Sequence, residues 1–280
     1  MRANHSVTGA SGIRLDTEVP LSDYREFPSP SSLREHVLCL WTQTISKSHG
    51  GYSHRVLPDA CIDIVFVNND PPAVIGPWTE SFVAELAAGT TIAGVRFHPG
   101  RAFNFLGVPA NVLLNQSVAL YEISRILPAR FSRIADQTTL VARKEALIAS
   151  LFDSIPHYST ADRAVNAAIQ WLACRPNGHV RQLSAWIGLS PRQLQRRFLA
   201  AVGYSPKTFH SILRFQRLLN LAGGEHNIRK LADLAAQAGY ADQAHMTREV
   251  GRFSGAPPTV VLGSSPCTLR MSNLFDSNLP

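Results

Sequence analysis

Cysteine is scarce. Four thiols occur in 280 residues, Cys39, Cys61, Cys174 and Cys267, far apart and without a C-x-x-C or H-x-x-x-H spacing. A disulfide-stapled scaffold and a structural zinc site are both excluded by that pattern, and a reducing, cytoplasmic setting is expected. The first twenty residues are polar and charged with no apolar core, so they form neither a signal peptide nor a membrane span. A glycine-rich phosphate loop, a G-x-S-x-G elbow and a metalloprotease motif are also missing, so no enzyme, cofactor or metal is expected. Acidic residues are lacking in one half only. Residues 161–262 hold 13 Lys and Arg against 5 Asp and Glu, whereas residues 1–160 hold 13 against 14. The net charge of +7 thus sits in the C-terminal part, where a footprint on phosphates would need it.

That basic part repeats one pattern. Residues 180–198 (VRQLSAWIGLSPRQLQRRF) and 231–250 (LADLAAQAGYADQAHMTREV) each read as a short helix, a turn at Gly188 or Gly239, a capping residue, and a second helix. Leu183, Ser184, Ile187 and Gly188 correspond to Leu234, Ala235, Ala238 and Gly239. After the turn, Ser190, Leu194 and Phe198 correspond to Asp242, Met246 and Val250, with one extra residue in the second turn. Ser190 followed by Pro191 is a helix start, Asp242 caps the second copy, and both glycines suit a positive φ.

Helical geometry then separates the faces. With Leu194 at 0°, Phe198 lies at about 40°, Arg192 at about 160° and Arg196 at about 200°, so the two arginines point away from the core with Gln195 beside them. In the second copy Met246 and Val250 face inward, while Ala244 and Arg248 face outward with Gln243 and Thr247 beside them. Arginine on guanine and glutamine on adenine are major-groove pairings. The plainer alternative is that exposed Arg and Gln merely solvate a helix; cap, turn and core agreeing in both copies favour DNA reading. Between the copies, Ser205-Pro206 opens a helix running to Gly223-Gly224 with Phe209, Ile212, Leu213, Phe215, Leu218 and Leu219 as its apolar positions. It spans roughly 27 Å and would hold the two reading helices near the spacing of successive major grooves, about 34 Å.

These roughly 85 residues resemble the DNA-binding domain of the AraC/XylS family of bacterial transcription regulators. The resemblance is carried by Gly188-Leu189-Ser190, by residues 194–198 (LQRRF) and 203–206 (GYSP), by Gly239-Tyr240 with Asp242-Gln243, His245-Met246 and Arg248, and by residues 255–258 (GAPP). Val250 stands where the family usually has Phe, and Val261-Leu262 where it often ends in Tyr-Arg. The resemblance implies base contacts from Arg192, Gln195 and Arg196 in one site and from Gln243, Thr247 and Arg248 in the other. Gln193, Arg197 and Ala244 complete the candidate DNA-binding set.

The N-terminal half has another texture. From about Ser53 to Gln116, short Val/Ile/Phe runs (62–67, 73–75, 81–84, 91–97) alternate with turn segments such as 68–72 (NNDPP) and 98–100 (HPG), which reads as a β-rich barrel or sandwich. Pro109 onward turns helical, 140–152 is an amphipathic connector, and 161–173 forms a helix with Val165, Ala168, Ile169 and Leu172 on one face. Two segments are candidates for chemistry: 58–63 (PDACID) and 96–101 (RFHPGR). They give a ligand-binding set of Asp59, Asp63, Arg96, His98 and Arg101, with Arg96 or Arg101 pairing an anionic group; the plainer reading is Asp–Arg pairs that fix strand ends. Together with Gly76-Pro77 and residues 106–109 (LGVP), they resemble the sensing region of a subset of AraC-type regulators, with Ala60 where a glycine is expected.

The expected architecture is therefore α+β: a β-rich effector or dimerisation domain with a helical connector (1–156), a double helix-turn-helix domain (157–262) and a mobile tail (263–280). The expected function is sequence-specific, effector-responsive transcriptional regulation. The expected partners are double-stranded DNA first, then a small-molecule effector, RNA polymerase and a second copy of the chain, with no membrane. Two rivals are a DNA-repair protein using Cys267 as alkyl acceptor on the same DNA-binding half, and an architectural binder whose N-terminal half only oligomerises.

Overall fold

The computed structural model describes residues 21–48, 50–124, 127–154, 161–223 and 230–263. The expected tail, Cys267, the 156/157 boundary and the N-terminal twenty residues lie outside them. The N-terminal half carries strands β1 (Ser22–Pro28), β2 (Val37–Ile45), β3 (Tyr52–Val56), β4 (Ile62–Val67), β5 (Ala73–Ile75), β6 (Phe82–Leu86), β7 (Thr91–Phe97) and β8 (Ser117–Ala119). Six of them form an antiparallel sheet in the order β1-β2-β7-β4-β5-β8, while β3 and β6 pair separately. The expected strands at 62–67, 73–75 and 91–97 are β4, β5 and β7. Strand structure begins earlier than expected, however, at Ser22 rather than near Ser53. The reason is visible in β2, which is buried at nearly every position on both faces and so lacks the alternation that marks a half-buried strand.

Alternation sorts the large sheet's two faces. Ile62, Ile64 and Phe66 of β4, with Val95 and Phe97 of β7 and Val74 of β5, pack into a core against α1 (Ala102–Leu106), α2 (Leu120–Ile123), α3 (Leu127–Ala135) and α4 (Leu140–Ser154). Phe97, Phe105, Phe66 and Phe131 form a connected aromatic chain there, with centroids 5.1–6.2 Å apart. Asp63, Val65 and Val67 point the other way, toward the β3–β6 pair. Gly94 in β7 is required on that face. A Cβ there would come within 2.3 Å of the Trp41 indole, which lies across the strand.

The C-terminal half is helical: α5 (Arg163–Cys174), α6 (Val180–Ile187), α7 (Pro191–Val202), α8 (Pro206–Ala222), α9 (Leu231–Ala238), α10 (Gln243–Ser254) and α11 (Pro258–Gly263). The helix expected at 161–173 is α5, with its expected face Val165, Ala168, Ile169 and Leu172 buried. Helix α8 is the common spine. Phe209 meets Phe198 of α7 edge-on at 5.4 Å, and Phe215 meets Phe253 of α10 at 5.3 Å, all four fully buried. Burying one such side chain contributes about 1.5–3 kcal/mol, so α7 and α10 each have their own aromatic anchor on the spine. Polar clamps add direction: His210 Nε2 lies 2.9 Å from the Arg175 carbonyl, while the Ser211 hydroxyl donates to Glu249 at 2.7 Å and Arg214 pairs with that carboxylate at 3.3 Å.

Asp162 does two jobs at the head of α5. It accepts from the backbone N–H groups of Ala164 and Val165, and it holds Arg197 of α7 in a bidentate pair. Partial burial works to raise its carboxyl; Arg197 and the two backbone donors override that and hold it below the usual carboxylate value. The stabilisation is therefore present above the unfolded-state value and is lost as pH falls through the folded one. Asp162→Ala is expected to lower unfolding free energy by about 1–2 kcal/mol at pH 7, a lost cap plus a half-exposed pair. In urea denaturation the difference from the parent should shrink as pH falls through the depressed folded-state value of the Asp162 carboxyl.

Candidate nucleic-acid interface and a cavity

The two helix-turn-helix units are built as their sequence implies. Gly188 ends α6 at φ +73° and Gly239 ends α9 at φ +92°, both left-handed. A Cβ at Gly188 would meet open space, whereas one at Gly239 would come within 2.6 Å of Pro176. The second turn is therefore under a packing constraint as well as a backbone one. Ser190 caps α7 through the Gln193 N–H, and the Gln193 side-chain carbonyl accepts from the Ser190 N–H in return, a capping box. Asp242 caps α10 through the His245 N–H at 2.6 Å. Leu194, Phe198, Met246 and Val250 are all buried at 1% exposure or less. Valine thus fills position 250, with Phe253 of the same helix supplying the aromatic ring.

The outward faces divide into paired and unpaired cations. Arg192, Gln193, Gln195 and Arg196 on α7, and Gln243, Ala244, Thr247 and Arg248 on α10, are exposed. Among the described residues, no hydrogen bond or acidic partner engages the side chain of Arg192, Arg196 or Arg248. Their neighbours are occupied. Arg197 is held by Asp162, Arg214 and Arg252 lie on Glu249, and Arg252 also covers the Phe253 ring at 4.3 Å. Arg197 therefore sits apart from the other candidate contacts, as a staple between α7 and α5. Thr247 returns its hydroxyl to the Gln243 carbonyl at 2.9 Å, leaving its methyl outermost. Arg181, Lys207 and Lys230 are exposed cations that the sequence reading did not single out; nothing in their local pattern marks them, because a surface Lys or Arg is the commonest kind of residue there.

Between the β3–β6 pair and the large sheet lies a cavity of about 160 Å³. Its walls are mostly aromatic and aliphatic, with Trp41, Trp78, Phe82 and Ile92 prominent, and its polar end carries Asp59, Asp63 and Arg96. Asp63 and Arg96 are cross-strand partners in β4 and β7. Arg96 donates to Asp63 through Nε (3.0 Å) and Nη2 (2.8 Å), and the Trp41 indole N–H adds a third bond at 3.0 Å. Asp59 lies 3.5 Å and Glu26 3.7 Å from the same guanidinium. Burial pushes the Asp63 carboxyl up to about 6 against the pull of Arg96, so it remains ionised at neutral pH. Three of the five ligand candidates are thus brought together. His98 and Arg101 are not: Arg101 pairs with Glu35 at 3.1 Å, and His98 lies beside Arg34 and His36, where burial and the Arg101 charge push it down to about 4. Arg96 spends Nε and Nη2 on Asp63 and has Nη1 3.7 Å from Glu26, which is the Asp–Arg pairing of the plainer sequence reading.

The thiols have a simple account. Burial pushes Cys39 up to about 12 and Cys61 well above its usual value, the reverse of what a nucleophile needs. Among the described residues, no group of three or more His, Cys, Asp or Glu side chains could hold a metal ion, and no helix is long and apolar enough to cross a membrane.

The cavity wall touches the DNA-binding half at three places. In the Leu57–Cys61 loop, residues 57, 59 and 61 line the cavity; the Pro58 carbonyl accepts from Gln216 of α8 at 2.6 Å, and Leu57 and Ala60 join the core formed with α8 and Tyr204. Arg55 of β3 and Ser81 beside β6 donate to the Ser254 carbonyl at the C-terminus of α10, at 3.0 and 2.9 Å. Pro77, between the lining residues Gly76 and Trp78, packs on Gly203 at the C-terminus of α7.

The buried pair yields a direct test. Removing either partner strands a charge, so Asp63→Leu and Arg96→Met are each expected to cost about 3–5 kcal/mol. The double replacement should cost less than either alone, by a coupling above about 2 kcal/mol in a denaturation cycle.

Comparison with known proteins matches both halves. A family described as a domain of unknown function (DUF6597) matches residues 25–119, and a helix-turn-helix domain family matches residues 183–264. No curated protein matches the chain. Among solved structures, a probable AraC family transcriptional regulator from Rhodopseudomonas palustris is 23% identical, covering 37% of this chain and 98% of that one at a TM-score of 0.34. ToxT from Vibrio cholerae is 11% identical, covering 86% of this chain and 97% of that one at a TM-score of 0.42. A fatty-acid-bound form of ToxT from Vibrio cholerae is likewise 11% identical, covering 86% and 94% at 0.41. Scores this low leave the assignment to the family matches and to the residues themselves. The chain thus carries a helix-turn-helix domain at 183–264 behind a domain of unknown function at 25–119.

Proposed function

We propose that the chain reads two successive major-groove segments on one face of duplex DNA, with α7 and α10 as the reading helices, and that a small molecule in the cavity adjusts how it does so. The observation that carries the first part is the division of arginines. Arg192 and Arg196 on α7, and Arg248 on α10, stand exposed and unpaired on the faces opposite the buried anchors, while cations on the flanks are tied into the fold. Bidentate contact with guanine is the natural use of such a side chain. Gln195, Gln243 and Thr247 would read neighbouring bases, with Gln193 and Ala244 in close approach, and Arg197 would act by fixing α7 against α5. The 17-residue α8 is about 25 Å long and separates the two readers along one rod.

The second part is supported by the wall contacts. Three stretches of the cavity wall also abut helices of the C-terminal half, and two of the contacts fall on the C-termini of α7 and α10 themselves. A ligand that favours one arrangement of the wall would therefore bias the angle between the readers. In the cytoplasm, promoter occupancy would then set transcription through contact with RNA polymerase or its exclusion. One chain holds both readers, so a two-part operator needs no dimer, although a homodimer would extend it.

Selection of a randomised duplex pool by the full chain at physiological salt tests the reading. It is expected to recover two short elements separated by about one helical turn. Arg196→Ala should weaken the selected site by about 1–3 kcal/mol and relax one base position. An equal loss on every sequence would make Arg196 a phosphate contact, and recovery of a single element would leave α10 without a reading role.

A further inference from the structure

The cavity's charge balance points to a class of ligand. Three carboxylates, Asp59, Asp63 and Glu26, surround the one guanidinium of Arg96. Asp63 and Arg96 satisfy each other. Asp59 is different: its Oδ1 accepts from the Cys61 N–H at 2.9 Å, but Oδ2 receives no hydrogen bond among the described residues and lies 3.5 Å from an Arg96 Nε already committed to Asp63. A second polar group faces the same space. His54 of β3 lines the cavity at 7% exposure, without a hydrogen-bond partner among the described residues, and burial alone holds it below its usual pKa. At neutral pH it is an uncharged imidazole able to accept a proton bond on one nitrogen. The cavity thus offers two unused acceptors, one of them anionic, beneath aromatic walls. An anion entering it would meet the carboxylate excess directly; a cation would meet an unused oxygen and the faces of indole rings.

Size narrows the class further. A cavity of about 160 Å³ compares with the dry protein cavity of about 150 Å³ that admits benzene. Building on the reading that this cavity is the effector site, we propose that it binds a small organic cation, a primary amine carrying one aromatic ring or an alkyl chain of similar bulk. The ammonium lies against Asp59 Oδ2 and His54, and the apolar part lies between Trp41, Trp78 and Phe82.

Titration calorimetry on the full chain at pH 7 with three probes of equal size, benzylamine, benzyl alcohol and benzoate, tests the proposal. A hydrogen bond to a charged group contributes about 1.5–3 kcal/mol, so benzylamine is expected to bind about tenfold or more tighter than benzyl alcohol. Benzoate should be the weakest. Asp59→Asn, which keeps the oxygen that accepts from Cys61, should bring benzylamine down to the level of benzyl alcohol. The ranking of the three probes on the parent protein stands as a test even if that variant does not fold. Equal affinities, or benzoate binding best, would overturn the cationic class while leaving the cavity as a ligand site. Binding by none of the three would overturn the proposal together with the effector reading on which it rests.

Discussion

The Leu57–Cys61 loop is the constraint on which the rest of the molecule depends. Leu57, Asp59 and Cys61 line the cavity, Leu57 and Ala60 join the core of the C-terminal half, and the Pro58 carbonyl accepts from Gln216, so one loop serves as wall for both. Ala60 is held at φ +70° and 2% exposure, a left-handed conformation that costs a non-glycine residue about 1–2 kcal/mol. The packing of Ala60 beneath α8, and the hydrogen bond from Gln216 to Pro58, hold it there.

Around that junction the two halves share an interface rather than a tether. The N-terminal half grips the C-termini of both reading helices, through Arg55 and Ser81 on the Ser254 carbonyl and through Pro77 on Gly203. The Arg55 guanidinium is well placed there, since a helix C-terminus favours positive charge. The N-terminal ends of α7 and α10, where Arg192 and Gln243 lie, remain open. The contacts from the N-terminal half thus fall on the rear of α7 and α10, while their fronts stay exposed.

Much of the DNA-binding half was legible because several local signals coincide there. Cap, proline, glycine turn and apolar spacing all name the same helix boundaries around Ser190 and Asp242, and each is a short-range property. The β-strands with turn residues on both sides, β4, β5 and β7, were legible for the same reason. Strands β1 and β2 were not: β2 is buried on both faces and shows no alternation, and β1 is polar at most positions, with Tyr24 and Phe27 its large apolar side chains. Of the cavity, the acidic segment at Asp59 and Asp63 and the arginine at 96 could be named, but not their geometry. That Arg96 meets Asp63 across β7 and β4, and that His98, two residues along the chain, falls outside the cavity, depends on a register between segments about thirty residues apart. His54 stands just upstream of the acidic segment in sequence, but only the pairing of β3 with β6 brings it to the cavity wall.

Coupling between two sites is reciprocal: if the cavity wall biases the readers, bound DNA must bias the wall. Hydrogen–deuterium exchange of the full chain, with and without its selected operator, measures this directly. The account predicts changed protection at the front of α7 and α10 and, in the same experiment, at residues 57–61 and in strands β3 and β6. Changes confined to the helices of the DNA-binding half, with the cavity wall exchanging as before, would contradict it.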